Sequence, residues 1–124
     1  RRLSPTLLGP TVLTGTRPDS PIRADEVFGP VVCVEACDSP EEMLAALDEG
    51  RYGLQAGIFT HDLRRLWSAF DRLEVGALVV NDVPAYRIDH MPYGGERDSG
   101  FGREGVRWAI EEMTRPQLLV VNPA

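Results

Sequence analysis

Between Val31 and Asn81, short apolar runs alternate with segments whose apolar residues recur at helical spacing. Val31 to Cys37 reads as a strand, Ser39 to Gly50 as a helix, and Gly53 to Thr60 as a second strand. A second helix follows Thr60, and Ala77 to Val80 forms a third strand ending at Asn81. Few architectures accept that order. A strand, a helical crossover and another strand lie parallel, with the helices covering the sheet faces. The expected fold class is therefore α/β, a three-layer arrangement around a parallel sheet. Ligands in such folds collect at the carboxyl ends of strands, which directs attention to Asn81 and the loop from Asp82 to Ser99.

Local signals sharpen these boundaries. Leu7 to Leu13 can form a strand broken by Gly9-Pro10, and Arg17 to Pro21 reads as a loop. Pro30 cannot donate to a ladder, so the next strand starts at Val31; it is read through Cys37. Ser39-Pro40-Glu41-Glu42 combines a capping serine, a first-turn proline and a capping-box glutamate. Met43, Ala46, Leu47 and Gly50 then share one stripe. Thr60 can cap the second helix, whose apolar positions are Leu63, Leu66, Trp67 and Phe70. A third helix, about Arg103 to Met113, carries Val106, Ala109, Ile110 and Met113 on one face and stops at Pro116. Gln117 to Val121 reads as a short apolar strand.

Composition excludes several functions. With 124 residues the chain is one domain or part of one, large enough for a core. Its net charge is -6, so no nucleic-acid partner is expected. All 13 cations are arginine, which removes any lysine-based chemistry. No apolar run approaches the ~18 residues of a membrane helix, so no membrane partner is expected. The chain starts with Arg1 and not methionine, so it is read as processed or as a piece of something longer. Cys33 and Cys37 lack nearby histidines for a zinc site and are read as small apolar residues, with no metal. A reduced, cytoplasmic setting follows from that reading.

Gly100, Gly102 and Gly105 complete a G-x-G-x-x-G pattern. A dinucleotide fingerprint needs a strand before the first glycine and a βαβ unit after it. Asp89 to Ser99 is instead a loop holding a proline and two adjacent glycines, and too little chain follows Val106. The pattern reads as a turn that leads into a helix. Ser99, His90 and Asp89 could be written as a nucleophile, a base and an orienter, but no strand-to-helix elbow frames the serine. No catalytic set is assigned. Glu26-Val27-Phe28-Gly29-Pro30 carries more chemistry. It is either a turn with a core phenylalanine, or a carboxylate and a ring facing one cavity. A carboxylate can accept from both hydroxyls of a ribose, each charged hydrogen bond contributing about 1.5–3 kcal/mol, and the ring can pack on a flat heterocycle.

Five blocks, in order, resemble the aldehyde dehydrogenase superfamily. They are Pro10 to Leu13, Glu26 to Val31, Tyr52 to Thr60, Gly76 to Asn81, and Pro92 to Gly95 with Asp98 to Glu104. The resemblance runs from about Pro10 to Val121 and is to the family's carboxyl-terminal part. It implies oxidation of an aldehyde to an acid with NAD or NADP. Glu26 would hold the nicotinamide ribose, and Phe28 would pack by the nicotinamide. Tyr86, Arg87 and Tyr93 would border the substrate entrance, Tyr93 standing where the family often has phenylalanine. The glycine-rich loop would be structural. Arg97 stands where many relatives carry lysine. The family's nucleophilic cysteine lies upstream of Glu-x-Phe-Gly-Pro, so neither Cys33 nor Cys37 matches it.

The resemblance also implies a division. Residues 1–116 would belong to the catalytic domain, and residues 117–124 would form an oligomerisation strand and tail of a homo-oligomer. The chain alone would be inactive. Asp89 to Gly95 is similar to bacterial members acting on small polar aldehydes, of the lactaldehyde, phosphonoacetaldehyde and glyceraldehyde-phosphate types. Arg87 is either a clamp for an anionic tail or a solvated loop arginine. An alternative of another class is a free-standing oligomerisation or protein-binding module without catalysis.

Overall fold

The computed structural model describes residues 2–123. The bounding residues of the two expected segments, Arg1 and Ala124, lie outside the described residues. The chain divides into two compact units, the first ending at Gly50 and the second starting at Arg51.

In the first unit, β1 (Arg2–Ser4) and β2 (Leu7–Leu8) form a small antiparallel hairpin, and β3 (Thr11–Thr14) follows Gly9-Pro10. The hairpin has no periodicity long enough to announce it in the sequence. A single turn, α1 (Pro21–Ala24), starts at the last residue of the expected loop; Pro21 presets its first residue. Then β4 (Val31–Val34) pairs parallel with β3, Thr11 opposite Val31 and Thr14 opposite Val34. Alternation is clear on both strands. Leu13 and Cys33 point inward, half-buried, while Val12, Val32 and Val34 face out. β4 stops at Val34, so Cys37 is exposed beyond it and not in a strand as expected.

Helix α2 (Pro40–Asp48) starts as its sequence dictates. The Ser39 side chain accepts from the Glu42 amide at 3.1 Å, and the Glu42 carboxylate accepts from the Asp38 amide at 3.0 Å. The buried residue of this helix is Leu44, outside the expected stripe. Met43, Ala46 and Leu47 line an open hollow against β4.

The second unit holds β5 (Tyr52–Gly53), β6 (Gln55–Ile58), α3 (Leu63–Arg72), β7 (Ala77–Val80), β8 (Glu96–Arg97) and α4 (Val106–Met113). β6 and β7 are parallel, Gln55 opposite Ala77 and Ile58 opposite Val80, with α3 as the crossover. The parallel strands expected from the alternation thus occur as two pairs, one in each unit. Asp62, not Thr60, caps α3: its carboxylate accepts from the Arg64 amide at 2.8 Å, while the Thr60 hydroxyl accepts from the Asp62 amide. The core of this unit is Ala69, with Leu73 beside it. Of the expected stripe only Leu66 turns that way; Leu63, Trp67 and Phe70 are exposed.

Close backbone contact fixes the loop after β7. A Cβ on Gly76 would strike the Gly94 carbonyl oxygen, so that loop crosses directly over the start of β7. β8 pairs antiparallel with β5. The last helix begins at Val106, and its expected apolar face is open: Val106, Ile110 and Met113 are all exposed. Gln117 to Val121 joins no ladder among the described residues, contrary to the strand expected there. A strand needs a partner, and none is present among the described residues.

Candidate functional site

The segment Glu26 to Pro30 leads into β4 and is held by its backbone. The Gly29 amide donates to the Val27 carbonyl at 2.8 Å, and the Pro30 carbonyl accepts from Thr11, at the start of β3, at 2.8 Å. Glu26 is exposed, and its carboxylate has no hydrogen-bond or ion-pair partner among the described residues. Phe28 is 94% exposed. A hollow of about 630 Å³ adjoins the segment. Val27 lines it; Glu26 and Phe28 do not. Phe28 is therefore not a core residue of this chain, and the acid and ring are not enclosed together by it. They form an unspent acceptor and a bare aromatic face two residues apart.

At the other end of the sequence, the loop after β7 brings a second group together. The Arg87 guanidinium lies over the Tyr93 ring, its central carbon 4.2 Å from the ring centre. One of its terminal nitrogens donates to the Glu104 carboxylate at 2.6 Å. Tyr93 and Glu104 are themselves joined as an antiparallel bridge: the Tyr93 amide donates to the Glu104 carbonyl at 3.1 Å, and the Glu104 amide to the Tyr93 carbonyl at 2.6 Å. Tyr86 is tied in only through its backbone, its carbonyl accepting from the Gln55 side chain at 3.1 Å. Arg87 and Glu104 are both about half exposed or more. An exposed pair of this kind contributes ~0.2–1 kcal/mol, and the ring contact about 0.5–1 kcal/mol.

Glu104 was not legible as a site residue. It lies 17 residues from Arg87, inside a glycine pattern whose local reading is a turn. Only the Tyr93–Glu104 bridge delivers it. The same bridge explains the glycine pattern. Gly100, Gly102 and Gly105 have φ of 134°, 72° and 126°, a region that suits glycine. Between them the Arg103 guanidinium donates to the Gly95 carbonyl at 3.1 Å and pairs with Glu96. The loop is a clamped turn that returns the chain to Tyr93. Arg97 pairs with Glu74 at 3.2 Å. Ser99 is also spoken for: its hydroxyl accepts from the Gly53 amide at 2.9 Å. His90 borders a separate hollow with Val106, Arg107, Ile110 and Glu111, so Ser99 and His90 are not joined.

Cys33 is half-buried, its thiol 3.9 Å from the Ile22 carbonyl, and both thiols are free. Among the described residues no group of three or more metal-ligating side chains occurs, and no helix is long and apolar enough to cross a membrane.

The sequence profile of the aldehyde dehydrogenase family matches residues 3–119. A 3-sulfolactaldehyde dehydrogenase of Priestia aryabhattai is 48% identical over 113 residues, which is 91% of this chain and 24% of that protein. Among solved structures, aldehyde dehydrogenase 21 of Physcomitrella patens, in complex with the reaction product succinate, is 42% identical with a TM-score of 0.83. The match covers 86% of this chain and 22% of that one. Glyceraldehyde-3-phosphate dehydrogenase of Methanocaldococcus jannaschii, complexed with NADP, is 39% identical with a TM-score of 0.80, over 86% of this chain and 23% of that one. The chain thus spans about a quarter of the length of the curated relatives it matches.

Proposed function

Because the chain belongs to the aldehyde dehydrogenase family, we propose that it is the carboxyl-terminal part of an NAD(P)-dependent enzyme that oxidises a small aldehyde with an anionic tail to a carboxylic acid. The unspent carboxylate of Glu26, two residues from the bare ring of Phe28, carries this reading. The nicotinamide cofactor, when bound, supplies the hydride acceptor. Glu26 accepts hydrogen bonds from the two ribose hydroxyls, and Phe28 packs along the heterocycle and keeps water from it. The remaining walls of that site, and the nucleophile, come from polypeptide outside these 124 residues.

Tyr86, Arg87 and Tyr93 border the substrate entrance in this reading. Arg87 is held with most of its donors free, and a guanidinium matches sulfonate, carboxylate or phosphate groups in a forked geometry. The names of the relatives fit that chemistry, since sulfolactaldehyde and succinate both carry such a group. Residues 117–124 serve as an oligomerisation strand and tail: Leu118 to Val121 are exposed and join no ladder among the described residues. The free thiols fit a cytoplasmic setting.

The test is Glu26→Gln in the full-length enzyme. Glutamine keeps the shape but loses the charge, so cofactor affinity should fall about tenfold with the fold unchanged. Cofactor titration by fluorescence reads this directly. Unchanged affinity and unchanged hydride transfer would falsify the assignment.

A further inference from the structure

Arg87 is not empty-handed. Its guanidinium lies flat on Tyr93 and gives one hydrogen bond to Glu104. We propose that Glu104 is a specificity-determining residue: it occupies Arg87 as an internal counter-ion, and the anionic tail of an incoming aldehyde has to take its place. The inference rests on the reading of Arg87 as the anion-binding group.

Three observations carry it. First, the Glu104 contact is a single one, from one terminal nitrogen to one carboxylate oxygen. An arginine offers five N–H donors in a planar fork, so a sulfonate or carboxylate arriving in the forked geometry makes more bonds than Glu104 does. Second, the orientation of the guanidinium does not depend on Glu104. The Tyr93 ring supports its plane independently, at 4.2 Å. Removing the carboxylate leaves the cation facing the same way with its charge uncompensated. Third, Glu104 stays within reach. Its backbone is joined to Tyr93 by two hydrogen bonds, so its carboxylate returns to the guanidinium whenever no anion holds it. A ligand with a negative tail therefore meets a competitor, and one without a tail does not. Both partners are open to solvent, so exchange needs no unfolding.

The experiment uses the full-length enzyme at saturating cofactor with two substrates, 3-sulfolactaldehyde and lactaldehyde, which differ only by the sulfonate. The quantity read is the ratio of their KM values, because a general effect on turnover cancels from it. Glu104→Gln should lower the KM for 3-sulfolactaldehyde relative to lactaldehyde by about threefold to fivefold. Adding Arg87→Met to that variant should abolish the gain. An unchanged or raised ratio in Glu104→Gln overturns the proposal; a raised ratio means that Glu104 aims the arginine and does not compete for it. Arg87→Met alone separates the two readings. If it raises the KM for 3-sulfolactaldehyde and Glu104→Gln gives no gain, only the competitor role falls. If it leaves that KM unchanged, Arg87 is not the anion-binding group and both fall. Should Glu104→Gln not fold, Glu104→Asp withdraws the charge by one methylene and should shift the ratio in the same direction by less.

Discussion

Just past the carboxyl ends of β3 and β4, the Glu35 carboxylate accepts from both the hydroxyl and the amide of Thr16, the amide at 2.9 Å. Both bonds favour the ionised form. The Thr16 hydroxyl first, then its amide, hold this carboxyl below the usual glutamate range. The folded-state value is depressed, so this group's stabilisation is complete above the ordinary glutamate pKa. It is lost as pH falls through the lowered value. Thr16→Val removes the hydroxyl and keeps the amide. The Glu35 titration midpoint, followed by NMR of the side-chain carboxyl, should rise part of the way to the ordinary range. A midpoint that does not move would mean the hydroxyl contributes nothing. At this scale the sequence was legible where the physics is local. The Ser39 cap and its glutamate need only three residues to recognise each other. It misled where two candidates lie side by side, as at Thr60 and Asp62, and it was silent where the partner is distant. Glu104 meets Arg87 only because the chain between them folds back.

At the scale of elements, α3 explains why periodicity located a helix but not its buried face. Leu63, Leu66, Trp67, Ala69, Phe70 and Leu73 wrap more of the surface than one stripe. Leu66, Ala69 and Leu73 turn to the unit's own core, while Leu63, Trp67 and Phe70 face out, the two rings edge to face at 6.0 Å. Periodicity reports that residues lie on one side, not what lies opposite them. The crossing of the Gly94 loop over β7 was equally hidden, because it depends on glycines far apart in sequence. Gly76→Ala should cost about 3 kcal/mol or more, since its Cβ would strike a backbone oxygen that cannot step aside. Gly29→Ala, whose nearest neighbour would be 3.9 Å away, should stay within about 1 kcal/mol. Denaturation midpoints compare the two. Equal midpoints would show that the loop does not rest on the strand.

For the whole molecule, the burial pattern argues that these residues work inside a larger polypeptide. The chain exposes 10227 Å². Two separate globules of the units' sizes expose about 7,900 Å². The excess over that figure is as large as one face of an obligate interface. It is concentrated on apolar side chains: the outer valines of β3 and β4, the second stripe of α3, the open face of α4, and Leu118 to Val121 at 73–86% exposure. Large exposed apolar faces of this kind mark surfaces that other polypeptide covers. The isolated 124-residue chain should therefore bind a hydrophobic dye strongly and sediment as a heterogeneous population. The full-length protein, in which the remaining polypeptide would cover those faces, should sediment as one discrete species with little dye bound. If the isolated chain instead formed a single symmetric oligomer that excluded the dye, its own copies would be covering the apolar faces. It would then be a free-standing assembly module, and Glu26 and Phe28 would have no cofactor to hold.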